Sequence, residues 1–176
     1  PPSKSLSHRA LLAAGMANGV STVRGVLRSV DLTITRGCLE AGGVAIEELA
    51  DGAYRVVGRP GGLLGGPLGG QDDPVVLEVH ESGTTCRLIA AVAAAGHGVF
   101  ELRGAPRMHE RPIGALCEAL HRLGAEVQYL HKSGYPPLRI LTDGLRGGHS
   151  TISLDESSQY LSGLLLAAPL AARGTV

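Results

Sequence analysis

Small hydroxyl and glycine residues gather at three points of the sequence: Ser3, Ser5 and Ser7; Ser82, Gly83, Thr84 and Thr85; Ser157 and Ser158. Each group stands at the head of an apolar stretch with helical character. A helix start offers free backbone N–H groups and the positive end of the peptide dipole, so it attracts anions. The dipole alone contributes only about 0.3–1 kcal/mol per charge at an exposed site, so cations must add to it. Lys4 and Arg9 accompany the first group, and Arg87 the second. A further basic cluster runs Arg107-Met-His-Glu-Arg111-Pro112-Ile113. Pro112 suits the first turn of a following helix, which places Arg107 and Arg111 in the loop before that start. The planar fork of an arginine grips a carboxylate or phosphate through two hydrogen bonds.

Each feature taken singly has an ordinary explanation. Ser and Thr at helix starts are common caps. A lone arginine is commonly solvated or paired, and Arg111 has Glu110 and Glu118 nearby in sequence. Recurrence is what favours function: three hydroxyl-rich starts packed around a common axis would converge on one anion-rich ligand.

Other chemistries find little support. The seven His lack ligand spacing, and His80-Glu81 has no second His to complete a zinc helix. No Gly-x-Ser-x-Gly elbow is present. Four Tyr and one Phe are too few for a base-stacking platform. Lys plus Arg and Asp plus Glu number 16 each, so no net charge draws the chain to nucleic acid or an anionic membrane. With 44% hydrophobic and 18% charged residues the chain can build a core, and its 176 residues suit one domain. Cys38, Cys86 and Cys117 cannot all pair with one another, so a reduced, cytoplasmic chain is expected. No apolar run has the length of a membrane span, and no signal peptide is recognised. The abrupt opening at Pro1 and the close at Val176, where a strand should begin, point to a piece of a longer protein.

The elements that must position these groups repeat. The segments opening at Ser5, Ser82 and Ser157 align, and their closing glycines, Gly19, Gly98 and Gly174, are 79 and 76 residues apart. That period is too long for a solenoid and suits a subdomain repeated about three times. Extended runs follow at 20–26 and 99–103. Amphipathic helices come next, marked by Leu32, Cys38 and Leu39, then by Ile113, Leu116, Cys117, Leu120 and Leu123. Strand pairs follow at 44–48 with 54–57 and at 126–130 with 138–141, and leading strands are predicted at 75–79 and 151–154. The unit reads βαβαββ. It divides the chain into two nearly complete copies, 1–74 and 75–150, and the start of a third, 151–176, within a single globular domain. The stretches 88–95 and 161–172 are apolar nearly all round, which predicts α/β architecture with helices inside and sheets outside. Pro169 should kink or shorten the last helix. Gly61 to Gly70, with six glycines and no Gly-Lys-Ser/Thr ending, reads as a flexible connector.

With these residues in view, Pro2-Ser-Lys-Ser-Leu-Ser-His-Arg9, Ser82-Gly-Thr-Thr, Arg107-Met-His-Glu-Arg-Pro-Ile113 and Ser157-Ser-Gln-Tyr-Leu together resemble the 5-enolpyruvylshikimate-3-phosphate synthase family. The resemblance covers the whole chain, which corresponds to the N-terminal domain without its opening strands and without the second domain. It implies two domains of three βαβαββ units in pseudo-threefold arrangement. It also implies transfer of the enolpyruvyl group of phosphoenolpyruvate to the 5-hydroxyl of shikimate 3-phosphate, by addition and then elimination of phosphate, in aromatic amino-acid synthesis. No metal or organic cofactor is implied, and the partners would be the anionic substrates and the second domain of a monomer. Carried over by motif, Lys4 would touch both substrates and is the catalytic candidate. Ser5, Arg9, Ser157, Ser158 and Gln159 would hold shikimate 3-phosphate. Gly83 and Arg107, with Lys4 and Gln159, would hold phosphoenolpyruvate. Glu81 and Val30 depart from the family pattern, which has Asn and Asp there. The related UDP-N-acetylglucosamine enolpyruvyl transferase and a non-catalytic phosphometabolite-binding domain are the competing readings. Without the second domain, no turnover is expected from this polypeptide alone.

Overall fold

A computed structural model describes residues 2–69 and 73–176. Helix α1 (Lys4–Met16) leads into β1 (Val20–Val23), α2 (Val30–Ala41), β2 (Ala45–Glu48) and β3 (Tyr54–Val57). Then β4 (Val75–His80), α3 (Gly83–Ala94) and β5 (His97–Gly104) follow. A 3-10 turn (Pro106–Glu110) precedes α4 (Gly114–Arg122), β6 (Glu126–Tyr129), β7 (Leu138–Asp143) and α5 (Gln159–Ala167).

Two sheets carry the repeat. The first has the order β1-β3-β2 and the second β4-β5-β7-β6. Omitting β4, the orders correspond strand for strand, and the corresponding neighbours are antiparallel in both. The β4–β5 pair is parallel, bridged by α3. A parallel pair needs such a crossover, because no tight turn can return the chain in the same direction. Alternation sets the inner faces: in β3, Tyr54 and Val56 are buried while Arg55 and Val57 face outward.

The second sheet and helices α2, α4 and α5 enclose α3. Leu88, Ile89, Ala90, Ala91, Val92, Ala93 and Ala94 are all fully buried, as expected of a helix without a polar side. Small residues let α5 come close: a Cβ added at Gly163 would meet Ala91 Cβ and the Arg87 carbonyl at 3.1 Å. The three cysteines are free and buried, and burial pushes each thiol up to about 12. They behave as core residues, not as nucleophiles.

Four expectations need correction. Gly61 to Gly66 is no flexible connector (Gly70 lies outside the described residues). The Gly65 and Gly66 N–H groups donate to the His97 and Val99 carbonyls, at 2.7 and 2.9 Å. Val99 N–H donates back to Gly66 O at 2.8 Å, so the segment extends the sheet beside β5. Its glycines allow contact between backbones: a Cβ at Gly62 would lie 2.7 Å from Ala95 O, and one at Gly65 2.7 Å from Val99 N. Second, 151–154 forms no strand. The pairing of that region runs instead between Gly148–Ser150 and Gly174–Val176, and the Thr151 carbonyl accepts from the Arg122 side chain at 2.9 Å rather than from a neighbouring strand. Third, the apolar stretch 161–172 is not one buried helix: α5 ends at Ala167, shortened as Pro169 predicted, and a 3-10 turn (Ala168–Leu170) follows. The helix also keeps an open side, with Leu161 and Leu165 exposed one turn apart. Fourth, Pro112 precedes α4, which starts at Gly114, so it is not in the first turn.

Candidate active site at the convergent helix starts

The helix starts are built by local caps. Ser3 caps α1 by accepting from Leu6 N–H, and Ser29 caps α2 by accepting from Leu32 N–H at 3.2 Å. Ser82 caps α3 by accepting from Thr85 N–H at 3.2 Å. Ser158 makes no capping bond, and Ser157 Oγ accepts from Gln159 N–H at 3.2 Å instead. The ordinary capping function thus falls to Ser3, Ser29 and Ser82. Ser5 stands inside the first turn of α1, exposed, and Ser158 is exposed at the start of α5.

Direct contacts link these starts. Lys4 Nζ forms an ion pair with the Asp31 carboxylate in the first turn of α2. The Asp31 carbonyl accepts from the Thr85 hydroxyl of α3 at 3.3 Å. Gln159 at the head of α5 reaches α3 twice: its Nε2 donates to Thr84 Oγ1 at 3.0 Å, and its Oε1 accepts from Arg87 Nη1 at 3.1 Å. Arg9 closes the circle, donating to the Ser5 carbonyl at 2.9 Å and to Ser162 Oγ of α5 at 2.7 Å. Lys4, Ser5, Gly83 and Gln159 therefore sit at helix starts, and Arg9 one turn further along α1, on helices joined in the order α1–α2–α3–α5–α1.

Gly83 lies under two guanidinium groups. A Cβ there would be 2.6 Å from Arg111 Nη1 and 3.5 Å from Arg87 Nη1. Two cations above bare backbone make a place where an anion meets N–H groups and charge together. Arg111 has no ion pair with Glu110 or Glu118 among the described residues; Glu118 pairs with Arg122 at 3.5 Å. Arg107 is exposed on the 3-10 turn that ends just before Arg111. That loop is fastened from below, since the fully buried Tyr160 donates through its hydroxyl to Pro112 O at 2.7 Å and packs its ring under Arg87. Burial pushes the Tyr160 hydroxyl up to about 12, so it remains a donor at neutral pH. A groove of about 520 Å³ opens at Asp31, lined by Val30, Thr33, Ile34, His80, Glu81 and Ser82. Both departures from the family pattern, Val30 and Glu81, are on its wall.

Two contributors escape motif reasoning, Asp31 as the partner of Lys4 and Tyr160 beneath the loop; Arg87 and Arg111 are expected as anion-attracting cations, but not that both stand over Gly83. Asp31 follows a capping Ser in a helix start, which was the available signal. The stacking of Arg87 and Arg111 depends on how two distant segments pack, and no spacing announces it.

Gly83→Ala is expected to weaken anion binding while leaving the fold intact. The methyl group meets only the end of a flexible arginine, so the fold survives and the thermal midpoint should stay within a few degrees. Arg111 must swing aside and the backbone loses its close approach, so affinity for an anion at this position should fall on the order of tenfold. Isothermal titration of both proteins with the same anionic ligand checks it; equal affinities would remove Gly83 from the site.

Comparison with known proteins follows the same lines. Residues 1–176 match the family described as EPSP synthase (3-phosphoshikimate 1-carboxyvinyltransferase). The chain is 44% identical over 171 residues to 3-phosphoshikimate 1-carboxyvinyltransferase of Shewanella halifaxensis (strain HAW-EB4), covering 97% of this chain and 39% of that protein. It is 43% identical over 176 residues to the protein of the same name from Erwinia tasmaniensis, covering 99% and 40%. A solved EPSP synthase from Acinetobacter baumannii superposes with a TM-score of 0.82 at 28% identity, over 97% of this chain and 37% of that one. The chain thus spans about 40% of the length of the curated relatives it matches.

Proposed function

The chain belongs to the EPSP synthase family, and from that premise we propose that it is one domain of an enzyme that transfers the enolpyruvyl group of phosphoenolpyruvate to the 5-hydroxyl of shikimate 3-phosphate. The observation that carries this reading is the joined set of helix starts, with Lys4 held at one and Gly83 beneath Arg87 and Arg111 at another. The units 1–74, 75–150 and 151–176 form one globular domain in this proposal. A second domain of the same polypeptide completes the cleft, and the enzyme works as a monomer in the cytoplasm. Among the described residues no helix is long and apolar enough to cross a membrane.

The proposed roles follow from charge and reach. Both substrates are multiply anionic, so their encounter is repulsive until cations stand between them. Lys4, touching both, lowers that repulsion. Ser5 and Arg9 at α1, with Ser157, Ser158 and Gln159 at α5, hold shikimate 3-phosphate. Arg107 and the bare backbone at Gly83 hold phosphoenolpyruvate, and Gln159 stands between the two groups. The 5-hydroxyl adds across the double bond, its oxygen bonding to the carbon that carries phosphate while the neighbouring carbon gains a proton. Elimination then removes that proton and the phosphate leaves. Charge stabilisation by Lys4 serves both steps, and its ammonium is also placed to pass a proton.

Titration of this chain with shikimate 3-phosphate, followed by amide NMR, tests the reading. Binding should be weak, with a Kd of roughly 1 mM, because half of the contacts belong to the other domain. Shifts should fall on residues 3–9, 82–87 and 157–159. Shifts confined to residues 61–69 would reject the site.

A further inference from the structure

His8 faces into the molecule from α1, fully buried, one turn beyond Lys4 and next to Arg9. Its Nδ1 lies 2.7 Å from Thr35 Oγ1 of α2. Thr35 Oγ1 is 2.8 Å from Thr85 Oγ1 of α3, and Thr85 Oγ1 is 2.7 Å from Ser82 Oγ. Both threonine hydroxyls also lie near the Asp31 carbonyl, at 3.2 and 3.3 Å. Three helices thus meet in one chain of polar side chains sealed from water. His8 Nε2 is buried as well and has no partner.

We infer that His8 is a positioning residue: through Thr35 and Thr85 its imidazole sets the spacing of the starts of α1, α2 and α3, and so the presentation of Lys4 and Gly83. The inference rests on the functional reading above only for what the presented groups bind.

Counting protons assigns the tautomer. The Asp31 carbonyl only accepts, and each hydroxyl has one proton to give. If Nδ1–H donates to Thr35, Thr35 is free to donate to Asp31 O, Thr85 to Thr35 or Asp31 O, and Ser82 to Thr85. If Nδ1 instead accepts from Thr35, that bond to Asp31 O is lost and an Nε2–H donor is stranded in the interior, which is the costlier arrangement. The Nδ1–H form is therefore the one held. A second proton would have to sit on the unpartnered Nε2. The charged groups facing the ring are Lys4 and Arg9 of α1, which oppose that proton, and Asp31 of α2, which favours it; α3 presents only hydroxyls. Burial outweighs these, and His8 is held below the usual histidine range. The strut is thus neutral and keeps one hydrogen-bond direction.

The test uses the whole chain and three proteins: wild type, His8→Asn, which keeps a polar atom near the Nδ1 position, and His8→Leu, which fills the space without one. Long-range ¹H–¹⁵N spectra of the wild type at neutral pH should show a protonated Nδ1 and a bare Nε2. A protonated Nε2 would overturn the assignment. Without ligand, His8→Leu should move amides on all three helices, around residues 31–35 and 82–85 as well as on α1, and His8→Asn should restore most of them. Shifts confined to α1 would overturn the inference. With shikimate 3-phosphate, His8→Leu should bind about fivefold more weakly and His8→Asn within about twofold of wild type, the loss expected of one buried hydrogen bond. Coupled shifts with equal affinity in all three proteins would also overturn the positioning role. A wild type that shows the coupling and no response to shikimate 3-phosphate upholds the strut and defeats the functional reading instead.

Discussion

An Arg107→Ala variant of the complete enzyme is expected to lose on the order of a hundredfold in kcat/KM for phosphoenolpyruvate, from removal of a charge-assisted, two-pronged contact. Its KM for shikimate 3-phosphate should change by no more than about threefold. The asymmetry follows from placement. Arg107 lies on the loop that also carries Arg111 over Gly83, whereas the groups proposed to hold shikimate 3-phosphate lie on α1 and α5. Arg107 is exposed, with no ion pair or side-chain hydrogen bond among the described residues, so its loss should leave the fold unchanged. Steady-state kinetics with each substrate varied in turn, beside a thermal melt, separates the effects. Equal losses for both substrates would refute the assigned role, and a lowered melting point would mean that the arginine supports structure.

A large loss of stability is expected from Gly98→Ala, on the order of 3–5 kcal/mol. Two costs add at this position. The backbone has φ of 109°, a region that side-chain-bearing residues rarely adopt. A methyl group there would also drive into the Gly66 carbonyl and lie 2.8 Å from the Gly65 carbonyl carbon. These are backbone atoms already fixed by the bonds to His97 and Val99, so neither side can yield. For a domain of this size the loss lowers the melting point by roughly 10 °C. Gly61→Ala is the control, with open space around the added carbon but a positive φ of 97°, so only the conformational cost remains. Similar melting points for the two variants would show that the contact with 65–66 contributes nothing.

The repeat was readable because it rests on periodicity. Helical spacing at Leu116, Cys117, Leu120 and Leu123 marks α4, and the all-apolar run at 88–94 marks the buried α3. Both depend on local pattern, and burial of such patterns is what drives folding. The polyglycine stretch misled for an instructive reason. Glycine serves flexible chains and tightly packed backbones equally, and only the neighbour at 97–99 decides which. The strand expected at 151–154 misled in the same way, because a strand is completed by its partner and the pattern of one segment does not supply it.

The amino-acid order by itself marked the βαβαββ pattern across 20–57 and 75–143 and the hydroxyl-rich starts of α1, α3 and α5, since apolar spacing, small polar residues and basic side chains are properties of short segments. Tertiary structure alone decided that Lys4 meets Asp31, that Gln159 joins α5 to α3, and that Arg111 covers Gly83. These pairs are 27, 75 and 28 residues apart in the chain. The first depends on how α1 packs on α2, the second on how closely α5 approaches α3 at Gly163, and the third on how the loop before α4 lies over α3; such distances follow from packing rather than from spacing.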